Sequence, residues 1–297
     1  MITLGIAENA LKQIYLDVVS HQLNTPDAFI SKINHTSSEI YGKEILCPNF
    51  IEEDYKVLAK EELTDIYASI ELSDKAIKVA QNSAGAFVDL LNDEMEGLIK
   101  TTGNHIIQAV YGEDVKPSYL PENEKYKPLI LTGLKDIFDT EEETLYSIDR
   151  KKYNFYPQVK TINKLNVSEI EEIIDTLNPE VNFLICSPNV KRQIYDCFLN
   201  AKQNVETREQ GDRLYYMMFN GNIVIQPFKY MSDNEIWLVN SEDFKLHQLC
   251  DWRWLEDENS KVLKQVLDKP VYKATLVKYC NLICHNVKGQ IKIKIGE

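Results

Sequence analysis

Five histidines and six cysteines are the residues of this chain best suited to chemistry, and their spacing decides how far that chemistry goes. His247-x2-Cys250 and Cys280-x3-Cys284-His285 supply imidazole and thiolate groups of the kind that ligate zinc tetrahedrally. Against that, Cys280 and Cys284 sit in an apolar run that reads as a strand, where cysteine behaves as a small buried hydrophobe. The spacing also fits no compact zinc knuckle. A hydrolytic nucleophile would need an elbow such as G-x-S-x-G, and none occurs; His21, His35 and His105 have no matching Ser or Cys signature. His105, between Asn104 and Ile106 of a helical stretch, reads as a packed or surface residue.

Phosphate chemistry lacks its scaffold too. Neither a P-loop nor G-x-G-x-x-G is present, and the whole chain has only 11 glycines to build such a loop. Asp89, Asp93, Glu94 and Glu96 offer the oxygen ligands of a divalent ion. At helical spacing they form a solvated face instead. Trp252-Arg253-Trp254 has the rings to stack a base or sugar, but reads as core packing, with Arg253 paired to Asp251 or Glu256. The expectation is no catalytic residue, no metal and no cofactor: not an enzyme.

The elements that would position these groups are those of an ordinary folded protein. The chain has 297 residues, 44% hydrophobic and 27% charged, enough for one large domain or two lobes sharing a sheet. Its net charge is −13, whereas a protein that grips a nucleic-acid backbone brings an excess of Lys and Arg. The charge is segregated. Residues 261–297 hold eight lysines against Asp268 and Glu297, a net of +6 that leaves −19 for the rest; Glu44–Asp74 holds nine acids against Lys56 and Lys60, a net of −7. Two solvated faces of opposite sign are one reading; acidic and basic segments that meet between subunits are the other. The cysteines show no disulfide framework, the start MITLGIAENALKQ lacks the cationic and apolar regions of a signal peptide, and no run reaches the roughly 18 apolar residues of a membrane helix.

Periodicity predicts a mixed chain. Leu11, Ile14, Tyr15, Val18, Val19 and Leu23 mark an amphipathic helix over 7–23, followed by a polar segment at 24–41, carrying Pro26, that reads as an extended or loosely helical arm. Lys43–Leu46 and Asp65–Leu72 read as strands flanking an acidic projecting loop or hairpin, Glu52–Glu62. Ser73 caps a helical start, and a second start after Asn82-Ser83 runs to Gly112 with Phe87, Leu91, Met95, Leu98, Ile106 and Ala109 on one stripe. Three prolines (117, 121, 128) make 113–128 irregular. Then come a helix over Val167–Leu177 capped by Ser168, a buried strand Asn182–Ser187, and a helix from Pro188 to about Gln203. The last third holds a strand and tight turn at Asn220-Gly221, a short strand Ile236–Val239, an aromatic elbow at Trp252 and Trp254, a long strand Val271–Cys284 and an alternating strand Ile291–Ile295.

That order resembles the major capsid proteins of tailed bacteriophages with the Hong Kong 97-type fold. KPVYKATLVKYCNLIC is its most family-like segment; ALKQIYLDVVSHQLNT resembles the N-terminal arm, and DIYASIELSDKAIKVAQNSAGAFVDLLNDEMEGLIK the strand that returns from the extended loop into the long spine helix. TGLKDIFD with TLYSIDRKKYNFYPQVKT is similar to the start of the axial domain, and VNFLICSPNVKRQIYDCF to its central strand and helix. The resemblance implies an α+β fold in four parts. These are an N-terminal arm (1–40), a peripheral domain (41–130) with the extended loop at about 48–66 and the spine helix at about 83–111, an axial domain (131–260), and C-terminal strands (261–297) returning to the peripheral domain.

The implied function is structural: pentamers and hexamers tiling the icosahedral, DNA-containing head of a phage, in the virion after assembly in the bacterial host cytoplasm. Expected partners are copies of itself, a separate scaffolding protein, a portal, packaged double-stranded DNA touched weakly and non-specifically, and a decoration protein; no membrane. The extended loop is short, and no Lys–Asn pair stands out for covalent cross-linking. Combined with the charge segregation, this makes Glu52, Glu53, Asp54, Glu61 and Glu62 of one subunit the candidates to face Lys273 and Lys278 of its neighbour, with reversal of both lysines expected to leave the monomer folded. An encapsulin-like cellular shell of the same fold, and more distantly a soluble α+β enzyme or ligand-binding protein, are the alternatives.

Overall fold

The computed structural model describes residues 27–37, 40–41, 44–52, 55–62, 64–80, 84–112, 131–200, 207–210, 214–219, 222–257 and 259–296. The helix expected over 7–23, the prolines at 117, 121 and 128, and the Asn220-Gly221 turn lie outside these residues. In chain order the elements are α1 (Ala28–Lys32), β1 (Asn34–Ser37), β2 (Ile40–Tyr41), β3 (Glu44–Glu52), β4 (Tyr55–Glu62), β5 (Thr64–Ser73), α2 (Asp74–Ala80), α3 (Ala84–Tyr111) and α4 (Leu134–Phe138). There follow β6 (Thr144–Leu145), β7 (Ile148–Asp149), β8 (Gln158–Ile162), α5 (Val167–Leu177), β9 (Phe183–Cys186), α6 (Pro188–Asn200), β10 (Thr207–Gln210), β11 (Leu214–Phe219) and β12 (Ile223–Pro227). The last strands are β13 (Glu235–Val239), β14 (Phe244–Trp254), β15 (Lys264–Gln265), β16 (Val271–Cys284) and β17 (Ile291–Ile295).

Two sheets dominate. A seven-stranded mixed sheet runs β10-β11-β12-β9-β13-β17-β8, and a five-stranded sheet runs β1-β14-β16-β15 with β5 also paired to β16. At the centre of the larger sheet, Phe183–Cys186 and Ile236–Val239 are apolar at every position because both of their faces are covered. Along β9, Phe183 and Ile185 join the main core while Leu184 and Cys186 join the second; along β13, Trp237 and Val239 take the first face and Ile236 and Leu238 the other. The second core is closed by Ile170 and Ile174 of α5 and Val190 and Ile194 of α6. The first core is shared with the five-stranded sheet and with Met95, Leu98, Val110 and Tyr111 of α3.

Local chemistry starts and stops the helices. Ser73 Oγ accepts from Ala76 N at the start of α2, and Ser187 Oγ accepts from Val190 N at the start of α6, where Pro188 fills a first-turn position that needs no donor. The cap of α5 is Asn166 rather than the expected Ser168: its side-chain oxygen accepts from Ser168 N, so the serine contributes its amide and the asparagine the cap. The 28-residue α3 ends at Gly112, whose φ of +86° suits glycine. Gly133 packs against that end so closely that a Cβ would sit 2.4 Å from Gly112 N, which ties α3 to α4.

Two expectations change. The segment after Pro26, expected as an extended or loosely helical arm, holds a short buried helix: Asp27 caps α1, and Phe29 is buried with its ring 5.5 Å from both Phe183 and Phe244. The aromatic elbow is part of β14, whose bulged register turns Trp252 and Trp254 inward while Arg253 lies 5.8 Å from the Tyr279 ring. The sheets also do not divide at residue 260. β14 belongs with β5 and β16, and β17 lies in the larger sheet between β13 and β8.

Candidate functional site

The acidic segment forms an antiparallel hairpin of β3 and β4, with Glu44 opposite Glu62, Ile45 opposite Glu61 and Glu52 opposite Tyr55. The register shifts between Cys47 and Phe50, where Pro48 is accommodated because it has no amide to donate. Glu53 and Asp54 lie outside the described residues, as do the side chains of Glu52, Glu61 and Glu62.

The two lysines have different surroundings. Lys273 is partly exposed and pairs across the ladder with Glu71, Nζ to Oε1 3.6 Å. Such a surface pair contributes about 0–1 kcal/mol. Lys278 is only 3% exposed, its ammonium 3.2 Å from Asp251 Oδ1 and 5.7 Å from the centre of the Trp252 ring. Burial pushes the Asp251 carboxyl up, yet the Trp252 amide and the Lys278 ammonium outweigh it and hold the group below the usual range. Reversing Lys278 would therefore set two anions together inside the chain. The expectation that both reversals leave the monomer intact fails for Lys278, because its partner is its own subunit's Asp251.

Between the sheets the chain crosses at 240–243, from β13 to β14, and at 285–290, from β16 to β17. The crossings are bonded to each other. Gln290, fully buried, accepts from Asn240 N through Oε1 and donates through Nε2 to Asp243 Oδ2 and Asn286 O. His285 N donates to Asp243 O, and Asn182, just before β9, bridges to Ser241 through both ends of its amide. Burial raises the Asp243 carboxyl, while the Gln290 and Asn286 side chains pull it back. Beside this joint His247 and His285 approach Nε2 to Nε2 at 3.4 Å. On the other side of the main core, Asp27 accepts from Tyr111 Oη while Ala28 N donates to Gln226, so α1 ties the long helix to the larger sheet.

No protein-family model and no curated protein matches the chain. Solved structures do. The capsid protein of cyanophage A-1(L) superposes with a TM-score of 0.59 at 11% identity, covering 93% of this chain and 92% of that one. The SrpI encapsulin of Synechococcus elongatus gives 0.56 at 9%, over 93% and 90%. The capsid of an empty GTA particle gives 0.54 at 9%, over 92% and 90%. This is the Hong Kong 97-type capsid fold. α3 is the one described helix of spine-helix length, 28 residues, and the β3–β4 hairpin lies where the extended loop is expected.

Within the capsid fold the other chemical candidates disperse. Cys280 and Cys284 are buried, and burial pushes the Cys280 thiol up to about 12. Cys250 faces Tyr279 in the ladder. Among the described residues no three His, Cys, Asp or Glu side chains converge as a metal site. Asp93 and Glu96 lie on the exposed side of the spine helix.

Sequence reasoning missed three groups that organise the capsid fold. Arg150, fully buried, donates to the carbonyls of Phe155, Asp136 and Ile137, closing the C-terminal end of α4. Gln290 carries the joint. Phe29 pins the segment at 28–32. Each is an isolated residue with no periodic partner, so only a polar or aromatic residue inside an otherwise unremarkable loop could have drawn attention to it.

Proposed function

We propose that this chain is the major capsid protein of a tailed phage, building pentamers and hexamers of an icosahedral head around double-stranded DNA. The observation that carries the reading is the whole-length match in fold to a cyanophage capsid subunit, over 93% of this chain. The charge supports it. A subunit of net −13 repels the DNA that must move during packaging, so its contacts with DNA are weak and non-specific. Assembly occurs in the host cytoplasm with a separate scaffolding protein and a portal, and a decoration protein is accommodated outside.

In this reading Glu52, Glu53, Asp54, Glu61 and Glu62 of one subunit face the C-terminal lysines of the next. Lys273 is the member of the expected pair whose ammonium is partly exposed. Each such pair contributes about 0–1 kcal/mol, but many repeated weak contacts add through multivalency and stay reversible during assembly. Lys273→Glu is expected to lower particle yield while the monomer keeps its circular dichroism spectrum. Unchanged yield removes that contact.

The match to an encapsulin at TM-score 0.56 supports a second reading, a cellular shell holding protein cargo. Electron microscopy with light-scattering mass decides whether the chain forms shells, and the contents separate the readings: nucleic acid for a phage head, a co-purifying protein for a cellular compartment. A persistent 34.4 kDa monomer under crowding and high salt, with and without scaffold, refutes both.

A further inference from the structure

From sequence, His247 and His285 belong to a scattered set of cysteines and histidines; folding brings these two together and leaves the cysteines elsewhere. Their Nε2 atoms are 3.4 Å apart, with ring centroids at 5.6 Å and planes inclined by 40°. Two nitrogens bound at about 2.05 Å to one tetrahedral ion stand about 3.3–3.4 Å apart, since a tetrahedron's edge is about 1.6 times its centre-to-vertex length.

The two rings stand on backbone that is fixed independently of them. His247 lies within β14, opposite Asn281 of β16, and His285 directly follows β16 with its amide bonded to Asp243 O. Both imidazoles are kept neutral, the form that ligates metal. Burial pushes His247 down to about 4, with His285 and Lys245 adding to the effect, and burial followed by Lys245 lowers His285. Among the described residues Lys245 is a cation close enough to act on both rings, and its ammonium opposes a bound cation.

We propose that His247 and His285 form a two-imidazole site for a tetrahedral, borderline-soft divalent cation of the zinc class, clamping the crossover between the two sheets onto β14. Water completes the coordination, since no third His, Cys, Asp or Glu joins the pair among the described residues. The site is therefore open and of modest affinity, and its effect is mechanical: an ion here resists relative movement of the sheets at the point where β16 passes into β17.

The test uses the full chain, stripped with a chelator and titrated at neutral pH with Co²⁺, followed by visible absorption, and with Zn²⁺, followed by calorimetry and thermal unfolding. One equivalent with a tetrahedral cobalt spectrum, and a melting temperature that rises with Zn²⁺, is expected. His247→Gln and His285→Gln should each weaken binding by at least the roughly 10–100-fold that loss of even an outer partner costs a metal site. Lys245→Gln, which leaves both rings in place, should tighten it. Absence of a stoichiometric cobalt band in the wild type overturns the proposal, as does wild-type affinity in either histidine variant with a native circular dichroism spectrum, or unaltered affinity in Lys245→Gln.

Discussion

Arg150 shows how much of this fold rests on single buried polar groups. Its guanidinium reaches three backbone carbonyls, two of them at the end of α4 that no further helical turn can satisfy. Arg150→Met keeps the volume and orphans those acceptors; a loss of about 2–4 kcal/mol in urea unfolding is expected. Lys278 behaves likewise: Lys278→Glu should cost about 3 kcal/mol or more, whereas Lys273→Glu should change monomer stability by no more than about 1 kcal/mol. His247 gives a pH dependence whose sign is fixed. Burial, with His285 and Lys245 adding to it, holds its folded value at about 4, below the ordinary imidazole value of about 6.5, so its contribution is present above about 6.5 and is lost as pH falls toward 4. Stability measured across that window should fall less steeply in His247→Gln than in the wild type.

At the scale of elements, the spine helix and α1 make opposite predictions. Gly97 and Gly103 interrupt α3 without any close neighbour, a Cβ at either position meeting nothing within 4 Å. Gly97→Ala and Gly103→Ala should each stabilise the protein by about 0.5–1 kcal/mol, visible as a raised melting temperature. Gly133→Ala should do the reverse, because the added carbon collides with the backbone of Gly112 and Ala109. In α1, Phe29 lies among Phe183, Phe244 and Tyr111, so Phe29→Ala should cost about 3–5 kcal/mol and loosen the tie between α3 and the larger sheet. Equilibrium unfolding of the monomer measures both series.

For the whole molecule, two sheets share one core and are joined by two hydrogen-bonded crossings. The charge segregation belongs to this scale as well, because the proposed contact between the acidic hairpin and the basic C-terminal segment lies between subunits. Salt checks it: raising ionic strength from about 0.1 to 1 M shortens the screening length from about 10 to 3 Å, so charge-registered assembly should slow in light scattering while unfolding of the monomer changes little.

The sequence by itself determined the local elements. Val271–Cys284 and Ile291–Ile295 are strands with the bounds their apolar patterns mark, and the long helix ends at the glycine that can take a left-handed turn. It also carried the order of parts that resembles a capsid subunit. Tertiary structure alone decided what meets what. Lys278 and Asp251 are 27 residues apart, His247 and His285 are 38 apart, and Ala28 reaches Gln226 across 198. Periodicity reports which face of an element is apolar, but the partner of that face depends on sheet order and on where bulges shift the register. The assignment of β17 to the larger sheet followed from that pairing, because an alternating Ile-Lys strand does not say which sheet it joins until β13 and β8 pair on its two sides and Glu235 and the Phe138 carbonyl receive Lys292.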